Sequence, residues 1–98
     1  MATFVMLCKL SLHFPGEVKS LGQLDEELDQ RVAEDFPQAR RLASYVLLGG
    51  YDFLHIFDVP DATEAAKIAL LIHSLGMGTT ETLTAIPFEE FRNVLEEE

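Results

Sequence analysis

Residues 42–59 read Leu42-Ala43-Ser44-Tyr45-Val46-Leu47-Leu48-Gly49-Gly50-Tyr51-Asp52-Phe53-Leu54-His55-Ile56-Phe57-Asp58-Val59. Two runs rich in apolar, β-branched and aromatic residues flank Gly49-Gly50. A Gly-Gly pair in that setting signals a tight hairpin, because both residues tolerate positive φ. Residues 42–48 and 52–59 are therefore predicted as two antiparallel strands. An even turn fixes which side chains share a face. Ser44, Val46 and Leu48 fall with Tyr51, Phe53, His55 and Phe57; Ala43, Tyr45 and Leu47 fall with Asp52, Leu54 and Ile56.

Upstream of the hairpin, Phe36-Pro37 ends a helix predicted over 16–35, since the residue before proline is pushed out of the α region. Val18, Leu21, Leu24, Leu28 and Val32 recur at three and four, which gathers them on one face. Pro15 suits the first turn, and Gly22 weakens the helix by about 1 kcal/mol relative to Ala. Residues 3–11 read as a strand with both parities apolar, as in a strand covered on both sides.

Downstream, Asp61 and Glu64 have capping-box spacing ahead of a helix over 62–75. Its inner stripe is Ala65, Ile68, Ala69, Ile72 and Leu75, and Gly76 supplies a left-handed stop. A strand over 79–86 and a short helix opened by Pro87, carrying Phe88, Phe91 and Leu95, complete the chain.

The order β-α-β-β-α-β plus a tail helix is the ferredoxin-like α+β plan, with residues 1–98 as a single domain and an antiparallel sheet. Right-handed crossovers place the first and third strands in the centre. Both helices then cover one face. The other keeps Phe-, Val- or Leu-rich rows that nothing in the chain covers, and such a face marks an interface. Two sheets packed face to face give a homodimer, a dimeric α/β barrel.

The composition fits a folded soluble chain: 98 residues, 48% hydrophobic and 24% charged. Seventeen acidic residues against seven basic give a net charge of −10. Nucleic-acid partners and anionic membrane surfaces need clustered Lys and Arg, so the charge argues against both. The apolar run Ile68 to Leu71 is far shorter than the roughly 20 residues that span a bilayer. Cys8 is the one cysteine, so an intramolecular disulfide is impossible. The start, Met1 to Leu10, lacks the basic n-region and cleavage site of a signal peptide, and a cytoplasmic location is expected.

Gly50-Tyr51-Asp52 sits in the hairpin and is followed by Phe57-Asp58-Val59-Pro60-Asp61 and an Ala-rich helix. Later come Gly78-Thr79-Thr80-Glu81-Thr82-Leu83-Thr84-Ala85-Ile86 and Pro87-Phe88-Glu89-Glu90-Phe91. Over nearly its whole length the chain resembles the GYD-domain family, named for that tripeptide. The resemblance implies the dimeric α/β-barrel superfamily. It carries over no catalytic residue, so catalytic residues stay unknown.

His13, His55 and His73 stand apart without metal-ligand spacing, and neither a metal nor a cofactor is expected. His55 lies mid-strand between Phe53 and Phe57. It reads either as a half-buried group hydrogen-bonded across the dimer seam or as a general base beside a hydrophobic ligand, oriented by Ser44. Tyr51 either covers the hairpin end or donates at a pocket mouth, and Asp52 can accept from turn N–H groups. Tyr45 joins His55, Tyr51 and Ser44 as the candidate ligand-binding set. Thr80, Thr82 and Thr84 share one face, as an edge strand or as a polar pocket wall. Cys8 reads as an inert buried residue. The function expected from this set is binding of a small apolar or aromatic molecule. The alternatives are a cofactor-independent enzyme of monooxygenase or isomerase type and a structural or interaction module.

Overall fold

A computed structural model describes residues 1–10 and 20–96. Its elements are β1 (Ala2–Lys9), α1 (Ser20–Asp35), β2 (Arg40–Val46), β3 (Phe53–Val59), α2 (Ala62–Ser74), β4 (Thr79–Ala85) and α3 (Phe88–Glu96). The strands form one antiparallel sheet in the order β2-β3-β1-β4, so the first and third strands are central, as in the ferredoxin-like plan. His13, Pro15, Val18 and the predicted helix start at 16 lie outside the described residues.

The hairpin keeps the predicted facing sets but opens earlier. Leu47 N–H donates to Asp52 O at 2.9 Å, leaving Leu48 to Tyr51 as the loop. Removing one pair from each strand preserves the register, so Val46 still faces Phe53 and Ser44 still faces His55. Of the two turn glycines only Gly49 has positive φ. The strand also begins before residue 42, and a bulge lies between Arg41 and Ala43. The extra residue turns Leu42 outward, half exposed, and brings Arg41 onto the face of Ser44 and His55.

On the covered face, Phe4, Met6 and Cys8 of β1 and Phe57 and Val59 of β3 pack against Leu28 and Val32 of α1 and Ala65, Ile68, Leu71 and Ile72 of α2. Each of the large side chains fully buried there contributes roughly 1.5–3 kcal/mol. The open face carries Val5 opposite Ile56 and Leu7 opposite Leu54, with Leu83 beside Val5. Its apolar rows are therefore Val, Leu and Ile. Phe4, Phe53 and Phe57 all belong to the covered side, correcting the expectation of phenylalanine on the open one.

Asp61 caps α2 by accepting the Glu64 N–H at 2.9 Å. At the other end Gly76 N–H donates to His73 O and Met77 N–H to Ile72 O, with Gly76 at φ 83°, a Schellman stop. Gly78 has a separate duty. It sits at φ +109°, and a Cβ there would lie 2.1 Å from the Lys9 carbonyl oxygen. The chain entering β4 thus presses on the backbone at the end of β1. Among the described residues α3 packs against no other element, and no helix is long and apolar enough to cross a membrane.

Candidate functional site

The bulge in β2 builds the site. It aims Arg41 at the covered face, where Asp25 and Asp29 of α1, four residues apart and hence on one helix face, meet it. Arg41 Nη2 donates to Asp25 Oδ1 at 2.6 Å and Nη1 to Asp29 Oδ1 at 2.7 Å. Its Nε donates to Ser44 Oγ at 2.7 Å. Nη2 also reaches His55 Nδ1 at 3.0 Å, and Ser44 Oγ lies 2.8 Å from the same nitrogen.

These contacts fix the imidazole. A guanidinium only donates, so His55 Nδ1 accepts, and the proton sits on Nε2. Ser44 accepts from Arg41 and passes its own O–H to Nδ1. His55 is 3% exposed, and its Nε2 is buried with no hydrogen-bond partner among the described residues. Burial, reinforced by the Arg41 charge, pushes its pKa down to about 4. The ring is neutral at pH 7, with its lone pair committed to two donors and one N–H left to offer. That arrangement leaves no free lone pair for a general base. His55 also points at the helices, so it does not meet a seam made by the open faces.

Beside this cluster lies a cavity of about 260 Å³ lined by Leu21, Asp25, Arg41, Ser44, Tyr45, Val46, Phe53, His55 and Met77. Three of the four candidate residues, His55, Ser44 and Tyr45, come together there. Tyr51 does not. Its Oη donates to Glu81, whose carboxylate raises the phenol above its ordinary range. The Asp52 carboxylate does not serve its own turn: Oδ2 accepts the Leu10 N–H at 2.7 Å, and the Asp52 N–H donates to Cys8 O at 2.8 Å. The Gly-Tyr-Asp tripeptide is thus a clasp holding the hairpin loop against β1 and β4.

Sequence reasoning missed Arg41, Asp25, Asp29, Leu21 and Met77. The spacing of Asp25 and Asp29 was visible, but it equally describes a solvated helix face. Nothing in the sequence marks the bulge that turns Arg41 inward.

A second concavity, about 770 Å³, runs between α2 and β4. Thr80, Thr82 and Thr84 form one wall and Ala62, Ala65, Ala66 and Ala69 the other. His73 Nδ1 lies 3.2 Å from Gly78 O and donates to it. Burial pushes the Cys8 thiol up to about 11, which keeps it protonated and unreactive. Among the described residues no group of three His, Cys, Asp or Glu could hold a metal ion.

Comparison with known proteins agrees with this architecture. The chain shares 33% identity over 87 residues with the glutamine synthetase and cystathionine beta-lyase binding protein of Thermus thermophilus, covering 89% of this chain and 90% of that protein. The crystal structure of FFRP-DM1 superposes with a TM-score of 0.57 at 17% identity, covering 88% of this chain and 100% of that one. Hypothetical protein PHS023 of Pyrococcus horikoshii gives a TM-score of 0.53 at 18% identity, covering 89% and 92%. These two similarities speak for the fold alone. The GYD domain model matches residues 4–95, nearly the full length. The chain belongs to the GYD-domain family.

Proposed function

We propose that the chain is a homodimeric, non-catalytic interaction module of the cytoplasm, acting as one domain over 1–98, that attaches to other proteins. The observation that carries the dimer is the open sheet face, where Val5, Leu7, Leu54 and Ile56 of the two central strands have no element over them among the described residues. Two copies sharing this surface remove both rows from water. The name of the Thermus relative supports attachment to metabolic enzymes, with glutamine synthetase and cystathionine beta-lyase as the first partners to test. The excess of acidic residues, −10 net, speaks against nucleic acid as partner.

Sedimentation equilibrium at micromolar concentration tests the first half, with self-association to a dimer or beyond expected; a monomer overturns it. Biolayer interferometry against purified glutamine synthetase and cystathionine beta-lyase tests the second. Saturable binding to at least one is expected, and none at tens of micromolar rejects the enzyme-binding reading.

One observation favours a second reading. The unpartnered His55 Nε2–H lies in a ring that lines the 260 Å³ cavity. A small apolar or aromatic molecule seated there, flanked by Ser44, Tyr45 and Phe53, would pack on the His55 ring and reach its Nε2–H with an acceptor oxygen once a neighbouring side chain gives way. Native mass spectrometry of protein purified without added ligand should then show a retained mass in the wild type that His55→Ala loses. An unliganded wild-type spectrum counts against this reading.

A further inference from the structure

We propose that α3 is an exchanged arm, docking into the α2–β4 groove of a second copy of this chain through an interface separate from the open sheet faces. The helix has an apolar face that no other element covers among the described residues. Phe88, Phe91 and Leu95 stand at i, i+3 and i+7, exposed by 71%, 45% and 56%, with Glu89, Glu90 and Glu96 away from that stripe. No residue of α3 is buried, and α3 packs against no other element among the described residues. A nine-residue helix is marginal in water by itself. A sequence that places three large apolar groups along one side of such a helix has made it for a surface.

The complementary surface is in the same chain. The sheet has four strands, and beyond α2 the edge strand β4 is only half covered. The trough left there is walled mostly by alanines of α2 and threonines of β4, with Leu70 and His73 at its rim and Phe4 at its floor, and the small groups leave room for large side chains. Ala62 to His73 spans roughly 16 Å at the helical rise, and α3 spans roughly 13 Å, so the lengths match.

The chain's own arm stays off this groove. Phe91 N–H donates to Pro87 O, so the first helical turn includes Pro87, and Ile86 alone separates it from β4. With Pro87 φ locked, α3 leaves the strand as a projection. The radius of gyration, 14.8 Å, exceeds the roughly 12.6 Å of a compact chain of this length, in keeping with an extended form.

Area decides that the occupant can be a second copy. Covering the exposed parts of Ile86, Phe88, Phe91, Val94 and Leu95 reciprocally removes on the order of 1,000 Å² from two arms. The two grooves add a smaller area to this. The total reaches the roughly 1,200–2,000 Å² of a stable interface. Reciprocal exchange also closes the contact about a two-fold axis.

The test uses interchain disulfides and sedimentation on the full chain. Chains carrying Leu95→Cys, mixed with chains carrying Ala66→Cys and mildly oxidised, are expected to form a mixed covalent dimer; the native Cys8 is buried and does not compete. In the Ile56→Asp background, where the sheet faces no longer pair, Phe91→Glu should weaken self-association at least tenfold with the melting temperature unchanged, because the one ring contact of Phe91 among the described residues is Phe88 of the same helix. Ile56→Asp, which disrupts the open sheet face, should leave the Leu95–Ala66 crosslink intact and so separates this interface from the sheet-face dimer. Absence of the crosslink, or an association constant unaltered by Phe91→Glu in the Ile56→Asp background, overturns the proposal. A double variant that links only within one chain also overturns it.

Discussion

Acidification should expose His55 as a buried neutral histidine. Folded, its pKa stands at about 4, against 6.5 for the ordinary group. Below pH 6.5 the unfolded chain therefore binds a proton that the folded chain refuses. The contribution of the neutral ring to stability is complete above 6.5 and is lost progressively as pH falls toward 4. From the two values the loss between pH 7 and about pH 4.5 comes to roughly 2.4 kcal/mol. The carboxylates also titrate in this window, so wild type must be compared with His55→Gln, which keeps an acceptor for Arg41 and Ser44 but has no imidazole to protonate. Urea unfolding followed by circular dichroism at half-unit pH steps gives both curves. The wild-type stability should fall by about 2 kcal/mol more than that of His55→Gln over this range. Parallel curves would falsify the buried, neutral, Nδ1-accepting ring and with it the cavity reading.

Three further outcomes follow from named contacts. Gly78→Ala places a methyl 2.1 Å from the Lys9 carbonyl at positive φ, so chemical denaturation should show a loss above about 2 kcal/mol; a loss below half of that means the β1–β4 crossing relaxes. Arg41→Ala strips His55 Nδ1 of one donor and leaves Asp25 and Asp29 without their cation. It should cost about 1–3 kcal/mol in urea melts, and a neutral result would mean the ion pairs are screened away. Ile56→Asp puts like charges on both copies of the open face. It should abolish pairing through the sheet face and leave only the assembly held by the α3 arms in sedimentation, while far-UV circular dichroism stays native; an assembly state identical to wild type would move the interface elsewhere.

The sheet, its strand order and the hairpin register were legible because they rest on short-range signals. Asp61, Gly76 and Pro37 act within a turn of where they stand, and alternation over seven residues in β3 assigns a face to each side chain. His55 and Ser44 could be paired from that alternation alone. What surrounds His55 could not. One bulge residue between Arg41 and Ala43 inverts the facing of the strand's first residues and gives the histidine its cation, while Asp25 and Asp29 reach it across a loop. Gly78 carried no sign of its duty beyond opening the run to Ile86, because its constraint is a carbonyl at Lys9, remote in sequence.

By itself, then, the sequence determined the elements, their order, the two central strands and membership of a family, since propensity, capping and hydrophobic period act locally. Only the tertiary structure decided that His55 faces the helices, that Tyr51 belongs to a clasp rather than the cavity, and that α3 packs against no other element among the described residues. These depend on which distant atoms come within hydrogen-bond or van der Waals range. A chain pattern with period two or 3.6 carries no information about such distances until the layers are packed.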